Sequence, residues 1–234
     1  MNDGGSKYDQ LFYPFLFEGG AASKEEVLAE VQRSTLEKCR EVIDLRRATL
    51  ARSGPQIVTA GKAMVQAFET GATLLAFGNG GSSTDAQDLV AELIQPPFPE
   101  RFPLPALALT HDCAVITALG NDVGFETIFA RQIIAFGRRG DIAFGFSTSG
   151  NSANILLALE QAKKQGLLTI ALAGYDGGKT ARSSFVDICI VSPGDHIPRI
   201  QEAQATVYHA LLDVVYAFVK RPGELVEQWK EQSR

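Results

Sequence analysis

The chain has 234 residues, of which 45% are hydrophobic and 21% charged, a composition typical of an ordinary globular domain. Its formal net charge of -5 argues against a nucleic-acid-binding surface. The three cysteines form no CxxC pair, which excludes zinc-finger spacing and favours a reducing compartment. Because the start has no basic region and no apolar run approaches about 18 residues, we expect a cytoplasmic protein without a membrane segment.

Residues 1–23 are a predicted N-terminal extension, and residues 24–234 a single predicted domain. The extension contains an aromatic cluster at residues 11–17. Such a cluster is expected to dock on the body of the protein or on a neighbouring subunit, unless the segment is a disordered tail.

Apolar residues at three- and four-residue spacing predict a helix over residues 25–50 and a second over residues 57–68. Ser53-Gly54-Pro55 is interpreted as the break between them, and Gly71 as the end of the second helix.

Strands and helices then alternate. Predicted strands cover residues 73–77, 106–109, 141–146, 167–173 and 187–191. Predicted helices cover residues 85–94, 114–119, 125–136, 153–165 and 197–220, with a proline-rich loop at 95–105 and turns at 120–122 and 174–178. Repeated units with continuous apolar strands imply a parallel sheet with helices on both faces, a three-layer α/β sandwich. Ligands of such folds bind at the carboxyl ends of the strands.

A glycine-rich loop, residues 78–81, follows the first strand. Glycine allows a sharp turn and a close approach to a ligand, and Ser82, Ser83 and Thr84 add hydroxyl groups. Thr84 and Gln87 are a predicted capping box for the next helix. The spacing fits neither the Walker loop nor GxGxxG. The loop therefore predicts phosphate binding at a helix start, the alternative being a plain tight turn.

A second loop, residues 147–152, follows the strand at 141–146. It brings the hydroxyls of Ser147, Thr148, Ser149 and Ser152 together at the start of a helix. Hydroxyls and helix N-terminal amides together can hold a phosphate without a lysine. A helix cap needs only one hydroxyl, so we favour a phosphate site over a cap with incidental serines.

Polar side chains on two helices complete the candidate site. Asp88 and Glu92 are four residues apart and share one helix face. Gln201 and His209, on the last helix, are eight residues apart and point in roughly the same direction. A single histidine on a packed helix is often a core residue, and His111 and His196 are rival candidates.

Four motifs, GNGGSSTDAQDLVAEL, STSGNSANIL, GYDGGKTA and RIQEAQATVYH, occur in this order. Over about residues 25–220 the chain resembles the sugar isomerase (SIS) domain family, with a flavodoxin-like sheet, and within it the phosphoheptose isomerases. The resemblance implies an aldose–ketose isomerase that converts sedoheptulose 7-phosphate to D-glycero-D-manno-heptose 7-phosphate without an organic cofactor. It also implies a homotetramer with sites between subunits.

The resemblance assigns roles residue by residue. Glu92 and His209 correspond to the catalytic acid–base pair, with His209 serving the Glu92 of a neighbouring subunit. Glu92 is also among the implied substrate-binding residues. The others are Asn79, Gly80, Gly81, Ser82, Asn121, Asp122, Ser147, Thr148, Ser149, Ser152 and Gln201.

A divalent metal, where present, is implied at Asp88, Glu92, Gln201 and His209. Family members usually have histidine at positions 88 and 204, and some have an acidic residue at position 198. With aspartate at 88, the ligand set is richer in oxygen. Such a set should bind zinc more weakly and favour manganese or no metal.

Two alternatives stay open. The first is an isomerase of the same fold acting on another sugar phosphate, which the differences at Asp88 and Pro198 allow. The second is a non-catalytic SIS module that binds a sugar phosphate or the replication initiator DnaA. Glu92 and His209 are both present, which favours an enzyme over such a module.

Overall fold

The structure, a computed structural model, describes residues 24–220. The strands in this range are β1 Leu74–Gly78, β2 Ala106–Ala108, β3 Ile142–Ser147, β4 Leu168–Gly174 and β5 Ile188–Ser192. The α-helices are α1 Lys24–Glu69, α2 Gly81–Ile94, α3 Cys113–Asp122, α4 Ile128–Phe136, α5 Ala153–Gln165, α6 Gly178–Arg182 and α7 Ile197–Phe218. A 3-10 turn, Phe125–Thr127, precedes α4.

The chain divides into two compact units, residues 1–40 and residues 41–234. The predicted extension at 1–23, with its aromatic cluster, lies outside the described residues, so the predicted domain boundaries stay a prediction. No helix between residues 24 and 220 has both the length and the apolar character that crossing a membrane requires.

All five strands are parallel, in the order β2-β1-β3-β4-β5. This is the flavodoxin-like order of a doubly wound fold. Every residue of β1 and β3 is buried, because both faces of a parallel sheet are covered by helices. The predicted parallel α/β sandwich is therefore confirmed.

Alternate residues of β1 point into two separate cores. Leu74 and Ala76 pack in a core with residues from α2, α7 and the second half of α1. Leu75 and Phe77 pack on the other face with residues of α4 and α5. The two-residue period of the strand thus places α2 and α7 together on one face of the sheet.

The predicted break at Ser53-Gly54-Pro55 is wrong, since α1 continues through Pro55. The Ser53 hydroxyl donates to the Val191 carbonyl and accepts from the Val191 amide, both at 3.0 Å. Val191 belongs to β5, an edge strand whose outer polar groups would otherwise lack partners. The contact between α1 and the sheet edge therefore stabilises a helix that the local sequence disfavours.

The predicted capping box is also wrong, because α2 begins at Gly81 rather than at residue 85. Thr84 lies inside the helix, where its hydroxyl donates to the Gly81 carbonyl at 2.6 Å. The Gln87 amide donates to the Thr110 hydroxyl instead. Gly80 precedes the helix at φ 56, in the left-handed region that glycine adopts easily.

Two further elements differ from prediction. Helix α3 continues through residues 120–122, and the turn lies at Val123 and Gly124, where Gly124 has φ 117. The predicted turn at 174–178 is followed by the short helix α6, which the sequence analysis missed.

Candidate active site

The two polar loops meet at the carboxyl edge of the sheet, because they follow the adjacent strands β1 and β3. Two side-chain amides join them. Asn79 Nδ2 donates to Asn154 Oδ1 at 2.9 Å, and Asn154 Nδ2 donates to Asn79 Oδ1 at 2.8 Å. Asn79, predicted to bind substrate, is thus engaged in fixing the two loops to each other. Asn154 was not predicted, although it is in the quoted motif STSGNSANIL.

The loop at 147–152 places its hydroxyls around the start of α5. The Ser147 hydroxyl, buried at the end of β3, donates to the Ser152 hydroxyl at 3.1 Å. Ser149 is exposed, and its hydroxyl accepts from the Asn151 amide at 3.2 Å. Thr148 is half-buried between them. The Ser147 and Ser152 hydroxyls therefore lie together at the N-terminus of α5. Hydroxyls beside the free amides of a helix N-terminus are the donors that an anion site requires.

Helix α6 holds this loop in place from the other side. Thr180 donates to the Gly150 carbonyl through its amide and its hydroxyl, both at 2.9 Å. The Lys179 amide donates to Asn151 Oδ1 at 3.0 Å. The side chain of any residue other than glycine at 178 would overlap the carbonyls of Ser149 and Gly150. These contacts give the motif GYDGGKTA a structural role that its sequence pattern had left open.

The glycine-rich loop at residues 78–81 lies next to the first turns of α7. A methyl group on Gly81 would overlap the Gln201 side-chain amide, so a larger residue at 81 would displace that amide. Ser82 is buried beside it, and Gly80 is exposed. The predicted residues Gly80, Gly81, Ser82 and Gln201 therefore lie together at one end of the α2–α7 pair.

Asn121 and Asp122 lie at the exposed end of α3, where the Asn121 amide donates to Asp122 Oδ1 at 2.8 Å. Within the described residues, no residue of α3 is buried, although the helix is largely apolar.

An acidic cluster with one histidine forms farther along α2 and α7. His209 Nε2 lies 2.8 Å from Glu92 Oε1 and 4.0 Å from Asp88 Oδ2. One donor atom from each of the three residues lies within 4.8 Å of the others, close enough for a single metal ion. The Glu92–His209 contact is within one chain, which corrects the expectation that His209 serves the Glu92 of a neighbouring subunit. His111 is exposed and lines a groove that also contains Gln87 and Asp88, whereas His196 is exposed just before α7.

The predicted four-residue metal set, which adds Gln201 to these three residues, stays a prediction. Gln201 and His209 share a side of α7, but eight residues correspond to about 12 Å of helix rise. The Gln201 amide is instead held against Gly81 at the other end of the helix pair.

Tyr208 and Asp85, which the sequence analysis missed, line the space between α2 and α7. The Tyr208 hydroxyl donates to Asp88 Oδ2 at 2.6 Å. Burial and the hydrogen bond to Asp88 raise the pKa of the Tyr208 phenol well above its ordinary value. Burial, and secondly the charge of Asp88, raise the pKa of Asp85 to about 6. Tyrosine or aspartate at helical spacing gives little sequence signal, since such residues are common on exposed helix faces.

Two buried polar groups lack hydrogen-bond partners among the described residues. They are Asp85 Oδ2 and the side-chain amide of the fully buried Gln204. On α2, Asp85 lies between Gly81 and Asp88, and on α7 Gln204 lies between Gln201 and Tyr208. Since Gln201 contacts Gly81 and Tyr208 contacts Asp88, the two groups occupy the same layer between the helices.

The acid–base pair and the phosphate loops lie at opposite ends of α2. The Leu93 carbonyl accepts from the Leu104 amide at 2.8 Å, just before β2, which places Glu92 near the amino edge of the sheet. Glu92 is 11 residues after Gly81, about 16 Å of helix rise.

Comparisons with known proteins show the family of the chain. The SIS domain family model matches residues 39–174. The chain belongs to the SIS domain family. It is 40% identical over 183 residues to the phosphoheptose isomerase of Roseiflexus sp. (strain RS-1), a match that covers 78% of this chain and 92% of that protein. At this identity and coverage the chain belongs to the phosphoheptose isomerases within the SIS family.

Solved structures of that branch of the SIS family have the same fold. The phosphoheptose isomerase GmhA from Neisseria gonorrhoeae matches with a TM-score of 0.74 at 35% identity, covering 80% of this chain and 100% of that one. A phosphoheptose isomerase from Francisella tularensis matches with a TM-score of 0.73 at 37% identity, covering 82% and 99%. The SIS family model ends at residue 174, so Gln201 and His209 lie beyond the part that it matches.

Proposed function

We propose that the protein interconverts sedoheptulose 7-phosphate and D-glycero-D-manno-heptose 7-phosphate. The observation that carries the proposal is the 2.8 Å contact between Glu92 Oε1 and His209 Nε2 in a member of the phosphoheptose isomerase branch. A carboxylate in contact with an imidazole is a suitable pair for moving protons between carbon and oxygen.

In the proposed reaction, Glu92 takes a proton from C1 of the ketose. The electron pair forms a C1–C2 double bond, and the C2 carbonyl oxygen takes a proton from His209, giving an enediol. Return of the carbon-bound proton to C2, with loss of the C1 hydroxyl proton to His209, gives the aldose. Nothing is oxidised or reduced overall, so the residues need no redox cofactor. The imidazole suits the acid role because its unperturbed pKa lies near neutrality.

The phosphate is assigned to the loop at 147–152. Its serine hydroxyls and the amide end of α5 can accept the anion, and α6 holds the loop by bonds to Gly150 and Asn151. Binding the phosphate away from the reacting carbons would fix C1 and C2 against the acid–base pair.

A second copy of the chain is part of the proposal. The phosphate loops and the Glu92–His209 pair are separated by about 16 Å of rise along α2, and we take one substrate to contact them on two different subunits. The loops of one subunit would therefore face the acid–base pair of another, in a homo-oligomer that we take to be a tetramer.

The exposed apolar residues of α3 and its surroundings support such an assembly. Phe125 and Val123 are about half exposed, and Asn121 and Asp122 lie beside them. On α7, by contrast, Ile200 and Leu211 are fully buried within the chain itself and are not available to a neighbouring subunit. A copy that covers α3 would bring Asn121 and Asp122 toward its substrate.

We further propose that Asp88, Glu92 and His209 can hold a divalent metal ion. Two carboxylates and one imidazole fit such an ion and leave positions open for substrate. The oxygen-rich set favours manganese more than a two-histidine site would, with zinc as the alternative. An ion bound there would occupy Glu92 and His209, so the metal-bound form is an alternative to proton transfer by this pair, in which the ion would polarise an oxygen of the substrate.

The cytoplasmic location stays a prediction. It is supported by Cys39, Cys113 and Cys189, none of which is in a disulfide.

Incubation of the purified protein with sedoheptulose 7-phosphate tests the proposal. We expect formation of the aldose heptose phosphate, with slower or no reaction on pentose and hexose ketose phosphates offered in parallel. Faster turnover of another ketose phosphate would assign a different sugar. No reaction with any of them, both in the metal-free protein and at metal concentrations that saturate it, would contradict the isomerase function.

A further inference from the structure

The Tyr208 phenol is held in one position by its neighbours. Tyr208 is buried on α7, with its ring edge-on to Phe146 at 6.1 Å between centroids and tilted against His209 at 4.6 Å. Its hydroxyl reaches across to α2 and donates to Asp88 Oδ2 at 2.6 Å. A buried ring in contact on two sides has little rotational freedom, so the position of its hydroxyl is fixed by the core.

Asp88, by contrast, has a side chain that is 54% exposed. It lies one helical turn before Glu92, and a second carboxylate on the same face repels it. Without an anchor, an exposed side chain of this kind would sample several rotamers, and the oxygen that faces His209 would turn away. The Tyr208 hydroxyl supplies a short hydrogen bond to that same oxygen, Oδ2.

This hydrogen bond does not block metal binding. An ionised carboxylate oxygen has lone pairs for more than one partner, so Oδ2 can accept from Tyr208 and still ligate an ion. Hydrogen bonds from outside the ligand set orient metal-binding carboxylates, and their loss typically lowers metal affinity by about 10- to 100-fold.

We infer that Tyr208 is a positioning residue that holds Asp88 as a ligand of the metal centre formed with Glu92 and His209. The inference rests on the metal centre proposed above. It adds to that centre a residue that is not itself a ligand: the Tyr208 hydroxyl reaches Asp88 from the buried core between α7 and the sheet.

Tyr208→Phe tests the inference, because it removes the hydroxyl and keeps the ring. Tyr216→Phe is the matched control, since Tyr216 is on the same helix and donates to the Phe102 carbonyl at 3.1 Å. Mn²⁺ binding to the full-length, metal-free proteins is measured by calorimetry. We expect Tyr208→Phe to lower Mn²⁺ affinity about 10- to 100-fold, and Tyr216→Phe to leave it near the parent value.

Asp88→Ala and the double variant Asp88→Ala/Tyr208→Phe complete a cycle. If Tyr208 acts through Asp88, its loss should have no further effect once Asp88 is absent. Asp88→Asn is a second, exposed substitution that folding should tolerate, and it should weaken Mn²⁺ at least as much as Tyr208→Phe does.

Unchanged Mn²⁺ affinity in Tyr208→Phe or in Asp88→Asn would overturn the inference, as would an equal loss in Tyr216→Phe. An additive effect of Tyr208→Phe in the Asp88→Ala background would overturn it too. If the parent protein binds no Mn²⁺, both the metal centre and this inference fail. Turnover of sedoheptulose 7-phosphate, measured on the same samples, shows separately whether the isomerase function holds.

Discussion

The proton-transfer chemistry depends on two side chains that touch. Glu92→Gln keeps the shape of the side chain but removes the base, and His209→Ala removes the acid. Each variant should lose on the order of 10²-fold or more in turnover, with a smaller effect on KM. Steady-state kinetics on sedoheptulose 7-phosphate measures both quantities. Turnover at the parent rate in both variants would show that other residues carry the reaction.

The raised pKa of Asp85 predicts a pH-dependent stability. Burial raises this pKa from 3.8 to about 6, so between pH 4 and 6 the native state binds more protons than the unfolded state. Stability should therefore fall as pH rises through this window. Asp85→Asn removes the effect, and should raise the free energy of unfolding at pH 7.5 relative to the parent by on the order of 1 kcal/mol, allowing for partial exposure.

Denaturant unfolding at pH 4 and pH 7.5 measures this difference. Asp195→Asn, at an exposed aspartate in the loop before α7, is the control for removing one negative charge. If the free energies of unfolding of Asp85→Asn and of the parent differ by the same amount at both pH values, the Asp85 carboxyl does not titrate in this window.

At the residue scale, the sequence motifs predicted Glu92 and His209 as a pair, but they did not predict Tyr208, which contacts the neighbouring Asp88. A motif identifies a residue by its position in the chain, and the structure puts these two within hydrogen-bonding distance. For Gln201 and His209 the sequence predicts a shared helix side, which says nothing about their distance along the axis. Tyr208 was missed because its contact with Asp88 spans two helices that are 120 residues apart in sequence.

The loop at 147–152 is the element that should bind the phosphate. Replacing Ser147, Ser149 and Ser152 together with alanine removes three hydroxyls while leaving the Thr180 contacts to Gly150. Affinity for inorganic phosphate and for sugar phosphate should fall by about 10-fold or more, since hydrogen bonds to charged groups contribute about 1.5 to 3 kcal/mol each. Calorimetry with phosphate checks this, and Ser183→Ala, whose exposed hydroxyl donates to the Lys179 carbonyl, is the control. Undiminished phosphate binding in the triple variant would place the anion elsewhere.

At the element scale, the strand and helix pattern was predictable because the central strands β1 and β3 are buried on both faces. Strand boundaries moved by only one or two residues, and α5 spans 153–165 as predicted. The errors occurred where tertiary contacts override local preference. Ser53 holds α1 together across Pro55 through Val191, and the packing of Gln201 on Gly81 accompanies an earlier start of α2.

At the scale of the whole molecule, the proposed site uses residues from more than one chain. We expect light scattering at micromolar concentration to give a homo-oligomer with the mass of a tetramer. A monomer that turns over substrate would show that one chain holds a complete site.

The most direct test of the account is complementation between two inactive proteins. The triple serine variant keeps Glu92 and His209 but lacks the phosphate hydroxyls, and Glu92→Gln keeps the hydroxyls but lacks the base. In mixed oligomers formed by refolding the two together, about a quarter of the sites should combine intact loops from one subunit with an intact pair from another. We therefore predict that activity on sedoheptulose 7-phosphate returns to about a quarter of the parent value. Mixed oligomers that form but stay as inactive as their components would contradict the shared site.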